Sequence, residues 1–210
     1  MRRILILSLA GLVSLAGLAF LWLRPSRKFD WIDQQLEMFP HPQKAYDFQL
    51  VDQDGKPFRL DQLEGKVVLF TFGFTHCPNI CPTTLADLAA AYRLLPKSAQ
   101  EQTRVLFVSV DPERDSPKVL KEYVPFFDDH FIGLTGSAAQ IKKTALEYGA
   151  IYEKQPAPKE GASSYTIQHS TYVYVIEPDG QWRGLYRRDQ ISDPERIAKD
   201  VREMLAADHG

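Results

Sequence analysis

The stretch "TFGFTHCPNICPTTL" (71–85) contains both cysteines of this 210-residue chain, Cys77 and Cys81, and a proline follows each of them. It continues a run, "KVVLFTFGF" (66–74), whose β-branched and aromatic composition is typical of a strand buried on both faces. After the turn, Pro82 is compatible with the first turn of a helix. The next apolar residues recur at spacings that place them on one helical face: Leu85, Leu88, Tyr92 and Leu95. The sequence therefore predicts a buried strand, a turn that carries the cysteines, and a helix.

Strands and helices alternate along the rest of the chain. A hairpin at Asp54-Gly55 precedes the buried strand, because this dipeptide tolerates positive φ. Beyond the cysteine helix the patterns predict, in order, a strand over 104–110, a helix over 116–127, a strand over 131–136 and a helix over 137–149. Two strands joined at Pro178-Asp179-Gly180 and a helix over 194–205 complete the series. This order predicts an α/β, thioredoxin-like sandwich with an N-terminal β-hairpin.

The start of the chain contains an uncharged, leucine-rich run of 20 residues, 4–23, with basic residues on both sides. A helix of that length spans ~30 Å, the thickness of the hydrocarbon core of a bilayer. We expect one transmembrane anchor; a cleaved signal peptide is the alternative. The predicted organisation is an anchor or signal sequence over 1–28, a juxtamembrane linker over 29–45 and a globular domain over 46–207.

The charge of the chain argues against nucleic acid as a partner. Residues 1–28 carry five of the 25 basic residues and none of the 27 acidic ones, so the remainder has a net charge of about −7. An acidic domain of this kind is a poor binder of phosphate backbones.

The two cysteines form the candidate chemical site. A helix N-terminus stabilises a thiolate, which is both a nucleophile and a metal ligand. A disulfide within so short a ring would restrict the unfolded chain little, so a purely structural crosslink explains the pair poorly. Three functional interpretations remain: a redox dithiol, a thiolate metal site, or a peroxidase-like nucleophile. The usual redox spacing is C-x-x-C, whereas three residues separate Cys77 from Cys81.

A metal site needs at least one further ligand, and five histidines are available: His41, His76, His130, His169 and His209. His169 is the best candidate, because it immediately precedes a predicted strand over 171–176. In a thioredoxin-like sheet the start of that strand lies beside the cysteine turn. A Cys-Cys-His set is soft and leaves the metal open; thiolates select Cu(I), and an added imidazole accommodates Cu(II).

Three stretches resemble the Sco/SenC family of membrane-anchored copper-binding proteins, which assist assembly of the dinuclear copper site of cytochrome c oxidase. They are "GKVVLFTFGFTHCPNICPTTL", "VLFVSVDPERDSPKVLKEY" and "HSTYVYVIEPDG". The resemblance implies a copper-binding thioredoxin fold with Cys77, Cys81 and His169 as ligands. Gln168 departs from the family pattern, in which an acidic residue commonly precedes the histidine. Asp111, which follows the strand over 104–110, is a candidate to support the ligands without touching the metal.

The same resemblance implies the cellular setting and the partners. The soluble domain is expected on the periplasmic side of the inner membrane, with a single pass through residues 4–23. The expected partners are cytochrome c oxidase subunit II, a copper donor and a thioredoxin-like reductant. Copper delivery is the main functional hypothesis. The alternative is a thiol-disulfide oxidoreductase that keeps the copper-site cysteines of the oxidase reduced, with Cys77 as nucleophile and Cys81 as resolving thiol.

Overall fold

The structure is a computed structural model that describes residues 37–156 and 165–208. The described strands are β1 (Glu37–Lys44), β2 (Gln49–Asp52), β3 (Pro57–Arg59), β4 (Val67–Gly73), β5 (Thr103–Ser109), β6 (Ile132–Thr135), β7 (Tyr152–Pro156), β8 (Tyr165–His169), β9 (Val173–Ile176) and β10 (Gln181–Tyr186). The described helices are α1 (Ile80–Arg93), α2 (Lys97–Glu101), α3 (Pro117–Tyr123), α4 (Ala138–Glu147), α5 (Arg188–Ile191) and α6 (Pro194–Asp208). Short 3₁₀ turns cover Leu60–Leu63 and Val124–Phe126.

The centre of the fold is a mixed, eight-stranded sheet in the order β1-β10-β9-β4-β5-β6-β2-β3. Strand β4 lies in its middle and is buried along its whole length, as its apolar composition predicts. It pairs in parallel with β5 and antiparallel with β9. The carboxyl ends of β4 and β5 therefore meet the start of β9 at one edge of the sheet. This edge carries the cysteine turn.

The predicted α/β order is confirmed, including the N-terminal hairpin. Strands β2 and β3 pair through a turn in which Gly55 has a φ of +77°. The hairpin extends the sheet through pairing of β2 with β6. Helices α1 and α6 pack against one another, α3 contacts β6, and α4 contacts β2. Helix α4 begins at a Ser137 capping box, as its sequence predicts.

The segment expected to be a linker, 29–45, contains a strand of the sheet. Strand β1 pairs antiparallel with β10, and the register shifts between Met38 and Gln43. Two prolines, Pro40 and Pro42, lie within that shift. Proline cannot donate to a sheet ladder and is tolerated at edges and bulges. The prolines that suggested a linker are therefore compatible with an irregular edge strand.

The predicted membrane anchor, residues 1–28, lies outside the described residues. Across 37–156 and 165–208, none of the helices has both the length and the apolar character needed to cross a membrane.

A second, two-stranded sheet consists of β7 and β8. Part of the polar stretch 154–164 belongs to this hairpin, in which Tyr152 pairs with His169. The polar composition of β7 conceals the strand, because most of its side chains are exposed. Residues 157–164 lie outside the described part of the chain.

The last residue of β4, Gly73, allows the sheet to approach the cysteine turn closely. A Cβ atom at this position would lie 2.5 Å from Cε2 of Phe107 and 2.8 Å from Sγ of Cys81. Both distances are well inside van der Waals contact, so any side chain here would displace the ring or the sulfur. Gly73 thus fixes how close the buried thiol lies to the sheet.

We expect Gly73→Ala to lower the free energy of unfolding by about 1 to 3 kcal/mol, because the added methyl overpacks the core. It should also change the rate at which Cys81 reacts with a thiol reagent. The measurements are urea denaturation and labelling of Cys81 followed by mass spectrometry.

Gly133→Ala is the matched control. A Cβ there would lie 2.8 Å from Cγ2 of Val124 and 3.0 Å from Cβ of Leu120, in equally tight packing that involves neither cysteine. It should cost similar stability and leave the reactivity of Cys81 unchanged. Equal labelling of Cys81 in both variants would contradict this role of Gly73.

Candidate metal centre

The two cysteines lie at the junction between β4 and α1. Pro82 placed the start of the helix close to itself, and the helix begins at Ile80, so Cys81 lies in the first turn. Pro82 is tolerated there, because the first N–H groups of a helix have no partner within the helix. The backbone N–H of Cys81 instead donates to Sγ of Cys77 over 3.4 Å. The sulfur of Cys77 therefore caps the positive end of the helix dipole.

His169 completes a group of three candidate ligands. Its Nε2 lies 3.3 Å from Sγ of Cys81, and the ligand atoms of His169, Cys77 and Cys81 all lie within 4.8 Å of one another. Two atoms bonded to one ion at about 2.3 Å each can be at most ~4.6 Å apart. Only a small inward movement is therefore needed for all three to bind one ion.

The imidazole is oriented for metal binding. Its Nδ1 lies 2.8 Å from the carbonyl oxygen of Ser170. A carbonyl oxygen can only accept a hydrogen bond, so Nδ1 carries the proton and the lone pair of Nε2 faces the sulfurs. The ring also makes an edge contact with Phe74, with centroids 5.7 Å apart. His169 is thus held in a ligand tautomer before any metal binds.

The two thiols have opposite pKa shifts. The thiol of Cys81 donates a hydrogen bond to Cys77, and this bond, aided by the backbone N–H groups of Cys81 and Asn79, lowers the pKa of Cys77 well below its usual value. The same bond and burial raise the pKa of Cys81. The pair therefore behaves as one coupled acid that loses its first proton easily and keeps its second. The half-buried Cys77 is the thiolate, and the buried Cys81 is its proton donor.

A buried carboxylate that the sequence analysis missed, Asp115, fixes the start of the cysteine turn. Its Oδ2 accepts from the backbone N–H of Thr75 over 2.9 Å and from the hydroxyl of Ser109 over 2.6 Å. Its Oδ1 accepts from the Thr75 hydroxyl over 2.6 Å. The sequence feature that could have pointed to Asp115 is its position shortly after a strand that runs parallel to β4. Asp115 connects the end of β5 to the residue that opens the turn.

Asp111 is also buried, but it contacts the site indirectly. Its Oδ1 accepts from the hydroxyl of Tyr165 over 2.7 Å, and its Oδ2 forms an ion pair with Arg114. Within the described residues it makes no hydrogen bond to any of the three ligand residues. Gln168 has an exposed side chain and pairs across the hairpin with Glu153. The orientation of the imidazole comes from the Ser170 carbonyl instead.

Of the other histidines, His76 and His130 do not join the ligand group. The ring of His76 lies 3.1 Å from the Thr75 hydroxyl, although it neighbours Cys77 in sequence. His130 contacts Asp128 over 2.9 Å. His41 belongs to β1, and His209 lies outside the described residues.

The SCO1/SenC family model matches residues 37–206 of this sequence. The chain belongs to the SCO1/SenC family. The mouse mitochondrial protein SCO2 homolog is 34% identical over 211 residues, which are 99% of this chain and 80% of that protein. An SCO2-like protein of Rickettsia felis is 38% identical over 151 residues, which are 72% of each chain. The thioredoxin-like fold and the family resemblance expected from the sequence are thereby confirmed.

Solved structures agree with this family assignment. Copper-bound ScoI of Bradyrhizobium japonicum superimposes with a TM-score of 0.69 at 34% identity, over 77% of this chain and 99% of that one. BsSco, described as having a disulfide switch and as a member of the Sco family of cytochrome c oxidase assembly proteins, gives 0.61 at 31% identity, over 82% and 98%. A SCO1/SenC family lipoprotein of Bacillus anthracis gives 0.64 at 29% identity, over 79% and 98%.

The lowered pKa of Cys77 predicts an unusual pH profile for its alkylation. An ordinary thiol reacts roughly 50- to 100-fold faster at pH 8 than at pH 6, because its thiolate fraction rises by that factor. Cys77 is already a thiolate at pH 6, so its rate with iodoacetamide should change less than threefold. The rate is followed in the reduced, metal-free protein by mass spectrometry of the labelled peptides.

Cys81→Ala removes the proton donor that contributes most to this shift. In that variant the alkylation rate of Cys77 should rise more steeply with pH, towards the behaviour of an ordinary thiol. An ordinary profile already in the parent protein would contradict the assignment of Cys77 as the thiolate.

Proposed function

We propose that this protein is a copper chaperone that binds one copper ion through Cys77, Cys81 and His169 and supports assembly of the dinuclear copper site of cytochrome c oxidase. The observation that carries the proposal is the convergence of two sulfurs and one imidazole nitrogen within 4.8 Å at the edge of a rigid sheet. Copper is bound by relatives of the same fold, such as ScoI of Bradyrhizobium japonicum.

The donor set suits copper as a cargo. Thiolates favour Cu(I), and the neutral imidazole of His169 makes the set acceptable to Cu(II) as well. Three ligands leave a coordination position open, in contrast to the four ligands of a closed structural site. A thiolate of a receiving protein can therefore bind the ion before the donor ligands are lost.

The attachment of the three ligands suggests the order of release. Cys81 is buried at the junction of β4 and α1, whereas His169 ends a strand of the separate two-stranded sheet. Withdrawal of His169 leaves every strand pair of the main sheet intact. We therefore propose that the imidazole leaves first and that the sulfurs follow as the thiolates of the receiver replace them.

The proposed setting is the periplasmic face of the inner membrane, with residues 4–23 as a single-pass anchor. The apolar run in the sequence supports this placement, and the lipoprotein of Bacillus anthracis is a membrane-linked member of the same family. The proposed partners are cytochrome c oxidase subunit II, a copper donor and a thioredoxin-like reductant. The reductant is needed because an oxidising compartment converts vicinal thiols to a disulfide.

Anaerobic copper titration of the reduced, full-length protein in detergent tests the proposal. The parent should bind one copper per chain with an absorption band from sulfur-to-copper charge transfer. His169→Ala should weaken the affinity roughly 100-fold or more, because a direct ligand contributes at least as much as the supporting residues of a metal site.

His130→Ala is the matched control, since that imidazole contacts Asp128 and not the cysteines. It should bind copper like the parent. Copper binding that is indifferent to His169, or absent from the parent, would refute the chaperone proposal.

The shifted pKa values of the thiols favour a second candidate, thiol-disulfide exchange. In this reaction the thiolate of Cys77 attacks a disulfide of the partner, one partner thiolate leaves, and a mixed disulfide forms. Cys81 then attacks Cys77, which releases the second partner thiolate and oxidises the Cys77–Cys81 pair. BsSco, a relative with a disulfide switch, is a precedent in the family.

Substitutions distinguish copper delivery from thiol-disulfide exchange. The substrate is a disulfide-bonded peptide. The His169→Ala variant should reduce the disulfide of this peptide at a rate within threefold of the parent rate, because no step of the exchange uses the imidazole. Cys81→Ala should accumulate the mixed disulfide, which mass spectrometry detects. Failure of the parent protein to reduce the peptide would exclude this second function.

A further inference from the structure

The histidine ligand lies on a strand that the main sheet does not hold. Among the described strands, β8 pairs with β7 alone, and the two form a separate sheet. The position of His169 relative to the cysteines therefore depends on two things: the short connection to β9, whose Tyr172 carbonyl accepts from the Thr71 hydroxyl over 2.9 Å, and the side-chain contacts between this hairpin and the body of the domain. At the His169 end, the backbone N–H of Ser170 donates to the carbonyl of Ile151, which is itself next to the hairpin.

At the other end of β8, Tyr165 makes a dense set of contacts with the body. Its hydroxyl donates to Asp111 over 2.7 Å, and its backbone carbonyl accepts from Nη1 of Arg114 over 3.0 Å. The guanidinium of Arg114 also lies over the Tyr165 ring, 3.8 Å from the centroid. Stacking of this kind contributes about 0.5 to 2 kcal/mol.

Arg114 is itself fixed by the body of the domain. Its Nε pairs with the fully buried carboxylate of Asp111, and its own side chain is only 16% exposed. Its guanidinium also lies 5.7 Å from the centroid of Phe74, the ring that contacts His169. Arg114 therefore contacts both the strand that carries the histidine and an aromatic ring beside it.

A weaker contact runs alongside this set. Lys154 on β7 forms an ion pair with Glu113 over 2.6 Å, but both side chains are well exposed, at 45% and 66%. Exposed pairs contribute at most about 1 kcal/mol and are screened by salt. The contact of Arg114 with Tyr165 is therefore the stronger of these two polar connections to the body, and it acts beside the buried side chain of Ile167 on β8.

The loop over 111–115 controls both halves of the site. Asp115, at its end, holds Thr75 and thus the cysteine turn. Asp111 and Arg114 hold Tyr165 and thus the strand of His169. A single loop at the carboxyl end of β5 thereby sets the separation between the sulfurs and the imidazole.

We propose that Arg114 is a positioning residue for the metal site: together with Tyr165 it forms a latch that keeps the hairpin of β7 and β8 closed, with His169 at bonding distance from the cysteines. This inference rests on the proposed binding of copper by the three ligands. With the latch broken, the hairpin moves away, the imidazole spends less time on the metal, and copper leaves faster. The sulfur ligands keep their positions, because Asp115 and α1 hold them.

The first test uses the metal-free, full-length protein in detergent and measures amide hydrogen exchange. Arg114→Lys keeps the charge but removes the planar group that stacks on Tyr165 and bonds its carbonyl. Exchange of the hairpin amides, residues 152–155 and 165–169, should become at least tenfold faster than in the parent. Exchange in β4 and β5 should stay unchanged.

The matched control is Arg104→Lys. Arg104 donates to the backbone carbonyls of Gln100, Glu101 and Thr103, away from the metal site. This variant should exchange like the parent throughout the hairpin. Tyr165→Leu breaks the same latch from the strand side and gives a second variant if Arg114→Lys fails to fold.

The second test is a double-mutant cycle on Cu(II) affinity. Arg114→Lys should weaken binding about tenfold, retain the sulfur-to-copper absorption band and reduce the nitrogen hyperfine coupling in electron paramagnetic resonance spectra. In a His169→Ala background the same substitution should change the affinity less than twofold, because the latch acts through the imidazole.

An equal loss of affinity in both backgrounds would overturn the proposal, since Arg114 would then act on the sulfurs or on general stability. Hairpin exchange that is unchanged in both Arg114→Lys and Tyr165→Leu would overturn it as well. Failure of the parent to bind copper would refute the proposed function instead, and the exchange measurement would still decide whether the latch holds the hairpin.

Discussion

The buried carboxylate of Asp115 is the interaction on which the metal centre depends. A charged group without exposure is stable only when its oxygens accept hydrogen bonds, and here Thr75 and Ser109 supply them. Thr75 depends on Asp115 in turn, because the carboxylate fixes this residue at the start of the cysteine turn. Since Gly73 brings that turn against the sheet, Cys81 becomes buried beside a negative charge. The hydrogen bond to Cys77 contributes most to the raised pKa of Cys81, burial adds to it and this charge adds less, and the retained proton stabilises the thiolate of Cys77.

The local elements of the site follow from the sequence, because they depend on neighbouring residues. The apolar run of β4, the proline in the first turn of α1 and the capping serine of α4 each act within a few residues, and each was predicted in its place. The role of His169 could also be predicted from the sequence, since His169 precedes β9 and β9 pairs with β4. The family resemblance then connected it to the cysteines.

The contacts that set the geometry of the site could not be predicted from sequence, because they join residues distant along the chain. Asp111 and Tyr165 are separated by 54 positions, and Thr75 and Asp115 by 40. In the sequence, a polar residue that follows a strand gives the same pattern whether it caps a turn or accepts two hydrogen bonds from another loop. Strand β7 was concealed for a related reason: a two-stranded sheet with exposed faces lacks the apolar alternation that identifies a strand.

The three proposed ligands are attached to the fold with unequal strength, and this inequality fits the proposed function, in which the site both binds and releases its ion. Cys81 belongs to the packed core, Cys77 caps a helix whose position the core determines, and His169 extends from a hairpin joined to the body by side chains. If all three ligands belonged to the core, the thiolates of a receiving protein would have to displace each of them without help from any movement of the donor side chains. Opening of the hairpin breaks a few side-chain contacts and leaves the eight-stranded sheet intact. Under the proposed function, the separate sheet of β7 and β8 would let His169 leave the ion without weakening the core that keeps the thiolates together.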